Sequence, residues 1–193
     1  MNTNRVKQIL IETDMLMEGH FLLTSGRHSD KYIQCAKLTQ YPKYTEEIMG
    51  MLAQQFKDEQ IDFVVGPAVG GIILSYEMAR QLDVKSVFAE RENGVMALRR
   101  GFEIPKGSNV LIAEDVITTG GSVLEVISLM KKLNCNIKGV VSLVDRSGGG
   151  VDFGTEFLPA LTMDVRSFEP SQCPLCKEGI ALRQMGSRKI SEA

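Results

Sequence analysis

Apolar positions along the chain follow two alternating rhythms. Val6, Ile9, Leu10, Thr13, Leu16 and Met17 share one helical face, and this spacing predicts an amphipathic opening helix that Gly19 ends. Behind Pro42, a first-turn residue, Ile48, Met51, Leu52, Gln55 and Phe56 predict a second helix running to about Gln60. Ile72 to Leu82 reads as a third. Val123, Val126, Ile127, Met130 and Leu133 give the stripe of a fourth. Between the helices lie short apolar runs of strand length: Ile61–Val65, Val84–Ala89, Asn109–Ala113, Val140–Val144 and Leu158–Val165, with Tyr32–Cys35 as a further short strand.

Strand and helix in alternation predict an α/β fold, a parallel sheet covered on both faces with right-handed crossovers. Such sheets bind ligands beyond the C-terminal strand ends. Three loops follow strands and are expected to meet at one edge: Gly66–Gly71, Glu114–Ser122 and Asp145–Gly150. The mixed segment from Glu90 to Gly107 reads as a mobile, hairpin-like loop. The tail from Ser167 is polar, carries Pro170 and Pro174, and is expected to hold little regular structure. No repeat or second domain is visible, so residues 1–193 read as a single domain.

Composition narrows the function. The chain has 193 residues, enough for one full core, with 44% hydrophobic and 24% charged positions. A net charge of −2 offers no basic excess for nucleic acid or an anionic membrane. No apolar run approaches a membrane span, and the polar N-terminus lacks a signal-peptide core, so a cytoplasmic location is expected. Cys35, Cys135, Cys173 and Cys176 are then expected to be reduced thiols.

The chemistry concentrates in Asn109–Ser122. An apolar run ends in Glu114 and Asp115, followed by Val116, Ile117, Thr118, Thr119, Gly120, Gly121 and Ser122, and then a helix. Glycines let the backbone approach a ligand, hydroxyls donate hydrogen bonds, and the helix N-terminus favours an anion. That half suits a phosphate monoester. The two acids do not; they suit sugar hydroxyls, a cation or a cationic transition state. A phosphorylated sugar uses both halves. No Lys follows the glycines, which excludes a P-loop, and the spacing is not that of a dinucleotide fingerprint.

The run Val110–Ser122 closely resembles the thirteen-residue phosphoribosyl-diphosphate (PRPP) signature of type I phosphoribosyltransferases. Three other segments resemble the orotate-specific members of that family: Phe21–Tyr32 their N-terminal motif, Gly66–Ile72 their diphosphate loop, and Val144-Asp145-Arg146 the segment whose Arg holds the orotate carboxylate. The likeness runs in order from about Gly19 to Ser147.

The resemblance implies a type I phosphoribosyltransferase fold: a central, mainly parallel sheet flanked by helices, a small N-terminal hood from residues 1–40 or so, and a mobile lid. It implies transfer of the phosphoribosyl group of PRPP to orotate, with Mg2+ held through PRPP and water. Thr118–Ser122 would take the 5′-phosphate, with Val116 and Ile117 in the same PRPP contact. Glu114 and Asp115 would meet the ribose hydroxyls and steady a cationic transition state. Thr118 and Arg146 would contact orotate, and the main chain around Thr24–Arg27, with Tyr32 and Ile33, would enclose it. A homodimer is implied, since the family's lid often reaches the neighbouring site.

The best-known bacterial form has lysines where Thr24 and Gly70 stand, and a lid rich in lysine with a histidine. Here the lid carries arginines, and Arg91, with Arg99 and Arg100 as further candidates, is expected to supply the charge near the departing diphosphate. A purine-specific sister enzyme is the first rival reading, which Arg146 discriminates, because purines carry no carboxylate. A PRPP-sensing regulator is the second. Cys173-Pro174-Leu175-Cys176 has metal spacing but offers two of the four ligands a structural zinc needs. His20 and His28 are the only histidines, and His28 lies in the base-side motif.

Overall fold

A computed structural model describes residues 2–23 and 25–185. Thr24 of the base-side motif and Gly186–Arg188 of the tail lie outside the described residues. Helix α1 (Thr3–Glu12) leads into a hairpin, β1 (Leu16–Leu22) and β2 (His28–Ile33). The short α2 (Ala36–Thr39) and α3 (Pro42–Ala53) follow. Then come β3 (Phe63–Pro67), α4 (Gly71–Leu82), β4 (Lys85–Glu92), β5 (Val95–Leu98), β6 (Asn109–Ile117), α5 (Gly121–Lys132), β7 (Asn136–Asp145) and β8 (Phe157–Thr162). The chain ends through β9 (Ser167–Phe168), α6 (Pro174–Lys177) and β10 (Arg183–Gln184).

The central sheet runs β5-β4-β3-β6-β7-β8, parallel except at the β4/β5 hairpin. Side chains along β6 alternate between its two faces, as a buried strand requires. Val110 and Ile112 pack with Val123, Val126, Ile127 and Met130 of α5. Leu111 and Ala113 pack with Ile48 and Leu52 of α3, Leu74 and Met78 of α4, and Ile9 and Leu10 of α1. Each fully buried aliphatic side chain contributes about 1.5–3 kcal/mol of transfer free energy. The helical stripes and strand runs expected from the sequence are therefore two faces of one sheet. The chain goes from β3 outward to β4, then returns across β3 to β6. The loops after β3 and β6 thus flank the point where the strand order reverses.

The opening helix is shorter than its periodicity predicts. Thr13 Oγ1 donates to the Ile9 carbonyl at 2.8 Å, and Asp14 takes φ 54°, a left-handed stop. Leu16 and Met17 then pair with Ile33 and Tyr32 in β1/β2. Leu16 still joins the same core as Ile9 and Leu10, so the apolar stripe was a property of the buried site, reached by a strand.

The tail also differs from expectation. β9 pairs with β2, and β10 pairs with β1, completing a four-stranded hood sheet in the order β10-β1-β2-β9. Arg27 ties this segment down: its Nε donates to Ser167 Oγ at 2.9 Å, and its guanidinium pairs with Glu169. These side-chain contacts span about 140 residues, which a scan of local periodicity does not reach. Among the described residues no helix is long and apolar enough to cross a membrane.

Candidate active site

Strand β6 delivers Glu114 and Asp115 to the sheet edge, and the chain then turns sharply into α5. Gly120 makes the turn, with φ 74°. A Cβ there would also lie 2.7 Å from Val151 Cγ1, so both conformation and space demand glycine. The result is a cavity of about 220 Å³ lined by Glu114, Val116, Ile117, Thr118, Thr119, Gly120, Gly121 and Ser122, with Arg91 at its rim. Thr118 and Thr119 are exposed to it at the N-terminal end of a 12-residue helix. The residues expected to contact PRPP thus share one cavity, apart from Asp115, which turns toward the neighbouring loop.

That loop is Gly66–Gly71. A Cβ on Gly70 would fall 2.2 Å from Asp115 Oδ2. Gly70 has ordinary helical angles, φ −60° and ψ −40°, so its backbone does not require glycine. What requires it is the carboxylate of Asp115 lying where a side chain would stand. The position read from sequence as one that lacks a lysine is therefore the socket of a site acid.

The acids are unequal. Glu114 is 7% exposed, and burial, with the charge of Asp115 added, pushes its pKa up to about 8. Its Oε1 accepts the Asp115 amide at 2.9 Å, while Asp115 Oδ1 accepts the Val116 amide at 2.7 Å. Beside them lies Cys35, which the sequence offered only as a reduced thiol. Burial, then the charges of Asp115 and Glu114, push its thiol well up, so it stays neutral against the acids. A lone Cys after an apolar strand carries no local sign of such a place.

Arg146 stands at the end of β7, next to β6. Its amide donates to the Ile117 carbonyl at 2.8 Å, linking it to the signature turn. Asp145 shapes the loop beyond: Oδ1 accepts the Ser147 amide and hydroxyl at 2.7 and 2.6 Å, and Oδ2 accepts the Gly149 amide at 3.0 Å. Burial lowers the Arg146 pKa without neutralising it, and Tyr32 of the hood lies near enough to interact with its charge. Its Nε is buried with no protein partner among the described residues. An unpaired buried donor on a cation is costly, and an anionic group is one that can satisfy it.

The lid segment is a hairpin. Asn93 and Gly94 take φ 51° and 82° between β4 and β5, the pair that a tight two-residue turn prefers. Arg91 pairs with Glu125 of α5 through contacts of 2.6 and 3.2 Å. Arg99 and Arg100 lie away from the cavity lining and pair with Glu92 and Glu90.

Comparison with known proteins agrees with this geometry. Residues 35–153 match the phosphoribosyl transferase domain model. An orotate phosphoribosyltransferase of Caldicellulosiruptor bescii is 55% identical over 189 residues, covering 98% of this chain and 100% of that one. Another from a Thermoanaerobacter species is 56% identical, again over 98% of this chain and the whole of its relative. Among solved structures, the orotate phosphoribosyltransferase of Aeropyrum pernix superposes with a TM-score of 0.71 at 23% identity, covering 82% of this chain and 93% of that one. The signature turn, the paired acids and the full-length identity lead to one conclusion: the chain belongs to the phosphoribosyltransferase family, in its orotate phosphoribosyltransferase branch.

Proposed function

We propose that the chain transfers the phosphoribosyl group of PRPP to orotate, giving orotidine 5′-monophosphate and diphosphate in de novo pyrimidine synthesis, through the residues that line and border this cavity. The observation that carries the base assignment is Arg146, a cation with a buried, unpartnered Nε one strand away from the signature turn. Orotate brings a carboxylate to it; adenine and hypoxanthine bring none.

Thr118–Ser122 hold the 5′-phosphate, using the free amides and dipole at the start of α5. Glu114 and Asp115 take the ribose hydroxyls. As the bond from C1′ to diphosphate breaks, the sugar becomes cationic, and the charge on the acid pair stabilises it. Tyr32 and Ile33, with the turn after β1, cover the base. Arg91 exchanges Glu125 for the departing diphosphate when the hairpin closes, taking the part played by lysines in other members.

The donor set fits Mg2+ of a particular kind. Among the described residues no third metal-ligating side chain joins Glu114 and Asp115, so they do not form a protein cage. Two hard carboxylates suit an octahedral ion that arrives on PRPP oxygens and keeps its waters. Held beside Glu114 and Asp115 in that way, Mg2+ would supply charge neutralisation for the diphosphate.

We also propose a cytoplasmic homodimer. Val69, in the loop before α4 and 83% exposed, and Ile73 and Tyr76, on the first turns of α4, are exposed apolar side chains close together in sequence. Light scattering is expected to give twice the chain mass, and an active monomer would refute the dimer.

The test of the reaction is loss of orotate absorbance with PRPP and Mg2+, with adenine and hypoxanthine as controls. Arg146→Ala is expected to lower kcat/KM about 10- to 100-fold, mostly through the KM of orotate, since a hydrogen bond to a charged group contributes about 1.5–3 kcal/mol. Turnover of a purine instead of orotate, or equal effects on the KM of both substrates, would overturn the assignment.

A further inference from the structure

The hood holds a cluster that the transfer reaction does not use. His20 lies on β1, His28 on β2, and Cys173 and Cys176 bracket the start of α6. About 150 residues separate the histidines from the cysteines, yet their four ligand atoms lie within 4.8 Å of one another. His20 Nε2 is 2.9 Å from His28 Nδ1, 3.5 Å from Cys173 Sγ and 3.7 Å from Cys176 Sγ; Cys176 Sγ is 3.3 Å from His28 Nδ1. We propose that these four side chains bind one Zn2+ in a closed, structural site that pins the C-terminal segment to the hood.

Geometry comes first. A tetrahedral zinc with two nitrogens and two sulfurs has ligand–ligand edges of about 3.3–3.8 Å. Four of the six separations, 2.9–3.7 Å, lie within half an ångström of that range, and the two others are no longer than 4.8 Å, so the four groups need to move by about an ångström at most to close on an ion. The second shell is in place too. His20 Nδ1 lies 2.7 Å from the Ile180 carbonyl, so that nitrogen carries the proton and Nε2 is free to ligate. Without a metal, the 2.9 Å contact between two imidazole nitrogens needs a proton between them. Zinc takes the place of that proton, which passes through solvent to His28 Nε2 and keeps the imidazole neutral, and the two thiol protons are released to solvent.

Charge and softness agree. Two thiolates neutralise Zn2+, which suits a site where His20, His28 and Cys173 are all at least 94% buried. A set of two sulfurs and two imidazoles in tetrahedral array selects zinc over magnesium or calcium. Four protein ligands leave no open position, so the ion has no catalytic vacancy. Its work is mechanical. His20 and His28 stand at the two roots of the turn around Arg27, and α6 sits in the crossing from β9 to β10, so one ion ties turn and tail together.

The experiment is elemental analysis of the intact protein, purified with a phosphine reductant and without added metal or chelator. About one zinc per chain is expected. Cys173→Ser with Cys176→Ser should reduce it to background, while Cys135→Ser should leave it unchanged. If the double variant fails to fold, the wild-type chain is stripped with a chelator and titrated with Co2+. The absorption of tetrahedral cobalt–thiolate is then expected to saturate at one equivalent. Background zinc in the wild-type protein together with no cobalt spectrum would overturn the proposal. So would a Cys173–Cys176 disulfide in most chains, read by alkylation and mass spectrometry. None of these measurements depends on transferase activity.

Discussion

At the scale of single residues, Glu114 and Gly70 carry the sharpest consequences. Glu114 has a folded pKa of about 8 against an ordinary value of 4.5. A carboxyl raised in this way contributes stability that is complete below about pH 4.5. That stability is lost progressively as pH rises through 8, because ionising the group inside the site costs free energy. Glu114→Gln removes the loss. Thermal unfolding is expected to show the variant gaining on the wild type between pH 5 and pH 8, and parallel curves would contradict the assigned burial. Catalysis should move the other way as pH rises through about 8, where Glu114 ionises and the variant cannot supply that charge. Gly70→Ala is expected to fold well, because alanine accepts φ −60° and ψ −40° and favours a helix start. Its Cβ displaces Asp115, so kcat/KM for PRPP should fall while the melting temperature holds. An unaffected enzyme would show that Asp115 has room to move without consequence. The signature acids were readable from their neighbours in the sequence. The role of Gly70 was not, because its partner lies 45 positions away and a missing side chain has no periodicity.

At the scale of elements, the β4/β5 hairpin turns on Asn93 and Gly94. A Cβ at Gly94 meets nothing within 4 Å, so Gly94→Ala costs conformational strain alone, about 1 kcal/mol. Hydrogen exchange is expected to speed up in β5 and to stay unchanged in β6. A uniform response across both strands would mean that the hairpin is not an independent unit. Element types in the central sheet were legible because each buried strand is a short apolar run and each helix a clean stripe. Boundaries fared worse where two patterns overlapped. Leu16 and Met17 continue the stripe of α1, and only the stop at Asp14 and the pairing with β2 make them strand. The small strands of the tail had no chance of detection. Two residues carry no alternation, and Ser167–Phe168 and Arg183–Gln184 are strands only because β2 and β1 offer them edges.

At the scale of the whole molecule, the site is assembled from distant parts of the chain. The acids come from the middle strand, the socket from the loop after β3, Arg146 from β7 and Tyr32 from the hood. Sequence order foretold that the first three would meet, because parallel strands put their C-terminal ends at one edge. It did not foretell that the hood needs the tail, since nothing in a local window relates His20 to Cys173.

That dependence sets an order of assembly. A two-stranded hairpin is marginal in water by itself, and β1/β2 gains its outer strands only from residues 167–184. On the ribosome, the hairpin made early must wait for residues 167–184, made after the central sheet that lies between them in sequence. The four-stranded hood sheet is therefore completed only after the strands of the central sheet have been made. A chain that lacks residues 167–184 leaves the β1/β2 hairpin with two bare edges.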